Sequence, residues 1–364
     1  TFPLWFNNTF VVILIITPIV LSMFNTFGSN GTFIVGCFFL RHFIFTLALA
    51  LKCYPLQPGV LLAIQAVILG LTTTEAIFHE IENNLEVILL LVFMVAGIFF
   101  MKNLMLTIFT ILLLRVKSNI YLSLLFCFSA AILSAFLDAL TVTAVLIGVT
   151  IGFYRVFHTV SSNKPFGDNN HDYNNDSSLT DLGLQDQEKF KGFLRDLVMH
   201  GAVGTALGGV CTIVGEPQNL LIAKVAGWEF IEFFLRMAPI TMPVFIAGMI
   251  TCVFIEKFAI AGFGNQLPEN VRKIFNDFDE YERKNTTIEH KAELIVESIV
   301  ALLLVIALAL HLAAVGLIGL GVIILLTAFK GITEEHHIGE AFHEDLPFTA
   351  LLAVFFAIVA CIHD

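Results

Sequence analysis

Residues 120–154 read IYLSLLFCFSAAILSAFLDALTVTAVLIGVTIGFY, an apolar run in which Asp138 is the only acidic or basic side chain. As a single helix the run would be about 52 Å long, too long for one crossing of a ~30 Å hydrocarbon core. It is too short for two crossings of about 20 residues each. Basic residues, which favour the cytoplasmic side, flank both ends of the run at Arg115, Lys117 and Arg155. We therefore expect a re-entrant hairpin whose turn lies within residues 134–141.

The composition is that of an integral membrane protein. Of 364 residues, 57% are hydrophobic and 13% are charged, and the mean hydropathy is +0.88. Soluble domains carry about 25% charged residues. The apolar residues come in long runs rather than in the short alternations of an outer-membrane barrel, so helical spans are expected. The basic residues form no aromatic-interleaved patch, which excludes nucleic acid as a partner. We predict an all-α polytopic membrane protein whose partner is the lipid bilayer.

Eight further apolar segments are candidate membrane spans. They lie near residues 10–27, 33–51, 57–72, 85–101, 238–256, 294–313, 315–329 and 347–362. Segment 155–199 holds five Lys and Arg residues and segment 257–293 holds six, whereas loops 28–32 and 73–84 hold none. Because cytoplasmic loops are enriched in Lys and Arg, the two basic segments are predicted to be cytoplasmic. Counting spans back from them places the N-terminus in the cytoplasm as well.

Asp138 is the strongest functional signal in the sequence. A carboxylate at membrane depth costs about 2.5–3.5 kcal/mol and normally faces protein or a water-filled cavity. Ser134 and Thr141 flank it and offer hydroxyl oxygens, which suit hard cations. We therefore place a sodium site at Asp138. Two plainer explanations stay open, in which Asp138 caps the second arm of the hairpin and the two hydroxyls bond to their own helix backbone.

A second irregular region follows at residues 197–226. Five glycines and Pro217 fall within the length of one span, too many for an uninterrupted helix, so we expect a break around residues 211–219. Irregular backbone at membrane depth lines a cavity or is buried in protein, and carbonyl groups freed there coordinate cations. The candidate site residues in this region are Gly215, Glu216 and Asn219.

Three other residues of this region have plainer explanations. Gly204 and Gly208 form a GxxxG pair, which is typical of close helix packing. His200 heads the broken helix and is a candidate proton carrier, although a hydrogen-bonded packing role is favoured.

A weak internal repeat relates two parts of the chain. Residues 58–97 contain two apolar segments separated by a polar loop, and residues 315–358 repeat that order. The predicted orientation places the first loop outside and the second inside, so the copies are inverted, as in many secondary transporters. The second copy stops at Asp364, and we expect a truncated second repeat that lacks on the order of 150 residues.

The predicted organisation has six parts. They are, in order, N-terminal scaffold spans (1–102), an interfacial helix with the hairpin (103–156), a cytoplasmic linker (157–195), the broken helix with a following span (196–256), a cytoplasmic amphipathic loop (257–293) and the start of the second repeat (294–364). Within the linker, residues 161–186 are rich in Asn, Asp and Ser, which is typical of a flexible segment. In the amphipathic loop, apolar residues recur at helical spacing after Pro268.

Five segments stand out for their length and specificity. They are FIFTLALALKCYPLQPG (43–59), SAFLDALTVTAV (134–145), GTALGGVCTIVGEPQNLLIAKVAGW (204–228), LALHLAAVGLIGL (308–320) and LPFTALLAVFF (346–356). They resemble the NhaB family of bacterial sodium/proton antiporters over residues 43–364, whereas residues 1–42 are divergent. The resemblance implies an inner-membrane carrier of the ion-transporter superfamily with inverted repeats, re-entrant hairpins and elevator-like movement. It also implies that Asp138 is the intramembrane aspartate of the family and that residues 215–219 form the loop of its broken helix.

The expected function is that of a secondary active transporter that exchanges sodium, with lithium left open, for protons across the bacterial inner membrane. Competition of the two ions for Asp138 would couple the fluxes. No cofactor is expected, and a homodimer is left open. The alternatives are a sodium-coupled carboxylate or oxyanion carrier of the same superfamily and a truncated fragment without activity. An enzyme is not expected, because HEIEN (79–83) lacks the second His of a metalloprotease motif.

Overall fold

A computed structural model describes residues 4–27, 31–48, 56–137, 139–166, 171–173, 175–176, 179–343 and 346–363. The α-helices within these residues are α1 (Leu4–Phe27), α2 (Gly31–Ala48), α3 (Leu56–Ile68), α4 (Thr74–Asn83), α5 (Leu85–Leu89), α6 (Ala96–Phe99), α7 (Lys102–Arg115), α8 (Asn119–Phe136), α9 (Ala139–Ser161), α10 (Asp181–Gly209), α11 (Pro217–Ala226), α12 (Phe230–Phe258), α13 (Glu269–Asn285), α14 (Ile288–Ala309), α15 (Val315–Lys330), α16 (Glu335–His343) and α17 (Leu346–His363). A π-helical turn, Leu90–Val95, joins α5 to α6, and a 3-10 turn, Ile260–Gly262, follows α12.

The chain divides into two compact units. The first comprises residues 1–92 and 342–364, so the last helix of the chain belongs to the same bundle as the first ones. Within it, α17 packs against α2, α3 and α4. The core of this unit contains Phe43, Leu62 and Ile358, each at most 1% exposed.

The second unit comprises residues 93–341 and is built on the hairpin of α8 and α9. Helix α10 packs against both arms of the hairpin, α12 against α8, and α13 against α9. Helix α7 contacts both arms as well, and α14 and α15 pack against each other. Helix α10 thus packs against the hairpin, α12 and α13.

The protein is an all-α polytopic membrane protein. Among the described residues, four helices are long and apolar enough to cross a membrane: Asn119–Phe136, Thr141–Ser161, Phe230–Phe258 and Ile288–Ala309. A bent pair, Thr74–Asn83 with Leu85–Phe99 at 63°, would make a fifth. Each of the eight predicted spans overlaps a helix, although those near 57–72 and 315–329 correspond to helices of only 13 and 16 residues.

The length argument for a re-entrant hairpin is wrong. The hairpin arms α8 and α9 have 18 and 23 residues, because α9 continues beyond the apolar run as far as Ser161. Each arm is therefore long and apolar enough to cross a membrane by itself. A re-entrant path stays a prediction that rests on the charges flanking the hairpin.

The two segments predicted to be cytoplasmic differ in how closely their structure follows the prediction. Residues 181–195, assigned to the linker, form the first half of α10, although residues 181–186 were predicted to be flexible. The helix begins where the Thr180 hydroxyl accepts a hydrogen bond from the N–H of Gly183. The amphipathic helix after Pro268 is present as α13, with Val271 and Phe275 buried.

Candidate functional site

Helix α10 lies in direct backbone contact with the hairpin. Gly204 and Gly208 face the carbonyl groups of Cys127 and Ala131 on α8 so closely that a Cβ atom on either glycine would overlap the carbonyl oxygen. The order of these contacts makes α10 parallel to α8. Contacts to α9 run in the opposite order, because Gly201 meets Leu146 and Thr205 meets Thr143. The predicted GxxxG packing is therefore confirmed, and it brings the end of α10 beside the turn of the hairpin.

The expected break lies between α10 and α11. Regular helix stops at Gly209, and Pro217 starts α11 at the helix position where proline is best tolerated. The Asn219 side-chain amide is buried and donates to the carbonyls of Gly209 and Thr212, both at 2.8 Å. Asn219 thus ties the end of one helix to the start of the next through neutral hydrogen bonds.

The loop of the break packs directly on the hairpin turn. The Thr212 hydroxyl donates to the carbonyl of Ala135, near the end of α8. Gly215 has no room for a side chain, because a Cβ atom there would meet the carbonyl oxygens of Gly209 and Ser134. The Ser134 side chain is fully buried and donates to the carbonyl of Thr205 at 2.8 Å. The two irregular regions therefore form one continuous network of backbone and neutral side-chain groups.

The structure brings together Ser134, Gly215 and Asn219 of the predicted site residues. Thr141 lies in the first turn of α9 and is half-buried. Glu216 is also half-buried, precedes α11 and accepts a hydrogen bond from the Gln218 amide. Asp138 lies outside the described residues. Thr212 was missed by the sequence analysis, although its place inside the predicted break was a signal for it.

His200 has a specific buried partner that the sequence did not reveal. Its Nε2 lies 3.1 Å from Oε2 of Glu256 on α12, and both side chains are buried. The Phe263 ring packs on the imidazole at 5.0 Å between centroids. The favoured hydrogen-bonded packing role fits this arrangement, which holds α10 against α12.

A buried ion pair lies at the interruption between α6 and α7. Glu297 Oε1 and Lys330 Nζ are 2.5 Å apart, and their side chains are 0% and 9% exposed. Glu297 Oε2 also accepts from the N–H of Leu104 at 2.6 Å, and Lys330 donates to the carbonyl of Phe100 at 2.7 Å. In the sequence, the only indication of this pair was Glu297, an acidic residue near the start of the span predicted at 294–313. Nothing in the sequence indicated that Lys330 would be its partner.

The segment between α9 and α10 is anchored by a small polar cluster. His158 is fully buried, with its Nδ1 2.6 Å from Nε2 of His171 and its Nε2 3.4 Å from Oδ1 of Asp176. A hydrogen bond from Gln187 lowers the pKa of the Asp176 carboxyl, and the contacts with His158 and Lys191 lower it further. Within the described residues, no group of three or more His, Cys, Asp or Glu side chains could hold a metal ion.

Comparison with known proteins gives a match over the whole chain. The family model described as "Bacterial Na+/H+ antiporter B (NhaB)" matches residues 1–364. A relative from Marinomonas sp. (strain MWYL1), named Na(+)/H(+) antiporter NhaB, is 58% identical over 362 residues, which are 100% of this chain and 71% of the relative.

Two further relatives carry the same name. That of Teredinibacter turnerae is 58% identical over 99% of this chain and 70% of its own length. That of Vibrio cholerae serotype O1 (strain El Tor Inaba N16961) is 57% identical over 100% of this chain and 67% of its own length. The match of the whole chain and its close identity to these relatives show that the chain belongs to the NhaB family of bacterial Na+/H+ antiporters.

Proposed function

We propose that this protein exchanges sodium for protons across the bacterial inner membrane. Two findings support the proposal: the family match over the whole chain, and the packing of the broken-helix loop on the hairpin turn. In the proposal, Asp138 binds either a proton or a sodium ion. Oxygen atoms around Ser134, Thr141 and Asn219 complete the ion site. Sodium and protons are the transported ions, and no cofactor takes part.

The packing of the two irregular regions concentrates oxygen ligands for a cation. The carbonyls of Ala135, Gly209 and Thr212 all accept hydrogen bonds from hydroxyl or amide side chains in this network. Unwound carbonyls at membrane depth coordinate sodium in secondary transporters. Thr212 and Asn219 are neutral, so their side chains add no positive charge that would oppose a cation. This network is the structural observation that carries the proposal.

One carboxylate is enough to couple the two fluxes. A negative charge at membrane depth is unfavourable unless a proton or a cation compensates it. Sodium binding at Asp138 then requires loss of the proton, and return of the proton requires loss of sodium. Access alternates as the hairpin and the broken helix move against the remaining helices.

Three finer parts of the proposal rest on the sequence. The first is a cytoplasmic N-terminus, which follows from the distribution of Lys and Arg. The second is an inverted relation between residues 58–97 and 315–358. The third is a secondary role for Glu216 as a coupled acid beside the loop that contains Gly215. A sodium-coupled carboxylate carrier is not favoured, because the family match is to Na+/H+ antiporters.

The decisive experiment replaces Asp138 by Asn. Sodium-driven proton movement is measured with a pH-sensitive dye in everted membrane vesicles that contain equal amounts of wild-type and variant protein. We expect exchange by Asp138→Asn to fall to the level of vesicles without the protein, because an amide cannot alternate between a proton and sodium. Asp138→Glu keeps a carboxylate and is expected to retain measurable exchange.

The matched control is Asp186→Asn. Asp186 lies in the first half of α10, where it accepts an exposed hydrogen bond from Asn270 at 2.9 Å. Its removal is expected to leave the exchange rate unchanged. Normal exchange by Asp138→Asn would refute the assignment of the ion site.

A further inference from the structure

A surface groove of about 420 Å³ lies between α9 and α10, away from the network described above. Its apolar walls include Ile147, Ile151, Val198 and Met199. Ile147, Ile151 and Met199 are between 43% and 50% exposed, although they lie in the apolar parts of their helices. The groove therefore presents an apolar surface that neighbouring helices of this unit leave exposed.

One end of the groove is polar and basic. Tyr154, Lys191 and Arg195 line it there. The Lys191 ammonium lies 5.7 Å from the centre of the Tyr154 ring, and the Tyr154 hydroxyl accepts a hydrogen bond from Gln187 at 2.9 Å. Lys191 and Arg195 are four residues apart and so share one face of α10.

The change from apolar to polar occurs at the same level in both helices. Helix α9 is apolar before Tyr154 and basic at Arg155, and the antiparallel α10 becomes mainly apolar after Asp196. Tyrosine, lysine and arginine at the ends of apolar helices mark the level of lipid headgroups. The groove thus crosses from the hydrocarbon level to the headgroup level, with its positive charges at the headgroup end.

The Lys191 ammonium and the Arg195 guanidinium can each still bind a further anionic group. Lys191 is 3.9 Å from Asp176 and 3.5 Å from Glu188, distances at which the ammonium makes loose ion pairs. The described hydrogen bonds of Arg195, to Asp196 and to the carbonyl of Gly262, use the single nitrogen Nη2 of a guanidinium with five N–H donors. The Lys191 and Arg195 side chains are 42% and 57% exposed.

We propose that this groove binds one anionic phospholipid. The phosphate lies against Lys191 and Arg195, and an acyl chain runs along Ile147, Ile151 and Met199. Charge complementarity selects this occupant, because basic pockets between transmembrane helices recognise anionic headgroups, whereas a zwitterionic lipid offers no net charge. The inference concerns a lipid and does not depend on the proposed ion exchange.

The test is a lipid titration of the purified full chain in neutral detergent, with the thermal unfolding midpoint as readout. Phosphatidylglycerol is expected to raise the midpoint, and phosphatidylcholine and inorganic phosphate are expected to leave it unchanged. In the Lys191→Gln/Arg195→Gln variant, the phosphatidylglycerol concentration at half effect should rise about 30-fold, and high salt should act in the same direction.

The matched control is Lys257→Gln. The Lys257 ammonium lies 5.7 Å from the Phe258 ring centre, as Lys191 does from Tyr154, but it does not line the groove. Its loss should change the half-effect concentration less than threefold. The variant Ile151→Trp, which fills the apolar part and keeps both cations, should also abolish the rise in midpoint.

Four results would overturn the proposal. They are an equal rise with phosphatidylcholine, an equal rise with inorganic phosphate, an equal loss in Lys257→Gln, and an unchanged titration in both groove variants. Because each variant is compared with its own midpoint before lipid is added, a general loss of stability does not imitate a loss of lipid binding.

Discussion

The protein contains two interruptions between helices that satisfy their backbone groups in opposite ways. Between α6 and α7, charged groups make the contacts: Glu297 accepts from the N–H of Leu104, and Lys330 donates to the carbonyl of Phe100. Between α10 and α11, neutral side chains make the contacts: Asn219 donates to the carbonyls of Gly209 and Thr212, and the Thr212 hydroxyl donates to the carbonyl of Ala135 on α8. We refer to these as the charged break and the neutral break.

The difference lies in what each break can offer to an ion. At the charged break, the carboxylate of Glu297 is already compensated by Lys330 at 2.5 Å, so a cation would have to compete with a bound ammonium group. At the neutral break, oxygen atoms lie beside Ser134 and Ala135, which precede Asp138 by four and three residues in the sequence. The charged break is therefore suited to holding helices together, whereas the neutral break is the one that we propose to bind a cation.

The largest stability effect is expected from Glu297→Gln. The substitution leaves Lys330 buried without a compensating charge, and breaking a buried pair in this way costs about 3–5 kcal/mol. Unfolding of the purified protein in detergent, followed by circular dichroism, measures the loss. The double variant Glu297→Gln/Lys330→Met should recover part of it.

The control for this prediction is Glu280→Gln. Glu280 and Lys284 form an equally short pair, with 2.6 Å between oxygen and nitrogen, but their side chains are 68% and 73% exposed. Its loss should leave the unfolding midpoint unchanged. If both single variants behaved alike, the distinction between a buried and an exposed pair would fail.

A somewhat smaller effect is expected from Gly208→Ala. The added Cβ would overlap the backbone carbonyl of Ala131, so α10 and α8 must separate and carry the neutral break away from the hairpin. Overpacking of this kind costs about 1–3 kcal/mol. Gly148→Ala is the control, because a Cβ there meets nothing within 4 Å and alanine favours the helix. Equal stability of both variants would contradict close packing of these helices.

The neutral break itself is tested by Asn219→Leu. The change leaves the carbonyls of Gly209 and Thr212 without their donor, at a cost of about 1–2 kcal/mol for two neutral hydrogen bonds. The proposed site also predicts a higher sodium concentration for half-maximal exchange. Asn270→Leu, which removes one exposed hydrogen bond, should change neither quantity. Unaltered sodium dependence in Asn219→Leu would remove Asn219 from the site.

The smallest effect lies outside both breaks, at Asp176. Its pKa is lowered below the ordinary value of 3.8, first by the hydrogen bond from Gln187. The carboxylate therefore contributes stability above the ordinary pKa, and this contribution is lost as pH falls through the lowered pKa. Hydrogen exchange of residues 171–176, corrected for intrinsic rates, should accelerate by less than about threefold on acidification. Asp176→Asn should show the faster exchange already at neutral pH, and an identical pH response in both proteins would refute this assignment.

Much of the neutral break could be predicted from the sequence because its causes are local. Glycine and proline disfavour helix wherever they occur, so Gly215 and Pro217 located the interruption to within a few residues. The same local logic located the amphipathic helix after Pro268. The length of the hairpin arms was misjudged, because hydropathy marks where a chain is apolar and not where its helix ends.

The charged contacts could not be predicted, since their causes are not local. Glu297 and Lys330 are separated by 33 residues, and His200 and Glu256 by 56. Each of these residues lies in its own segment of sequence, where the nearest charge is not its partner in the structure. Nothing in that segment states which other charge will pack against it.

The sequence by itself determined that the chain is helical and membrane-embedded, and roughly where its helices are interrupted. These properties follow from the transfer of apolar side chains into lipid and from the backbone preferences of single residues. Only the tertiary structure decided which interruption contains an ion pair of opposite charges and which contains the oxygen atoms of neutral carbonyl and side-chain groups. That outcome depends on distances between residues far apart in the chain, and electrostatic and hydrogen-bond energies are set by those distances.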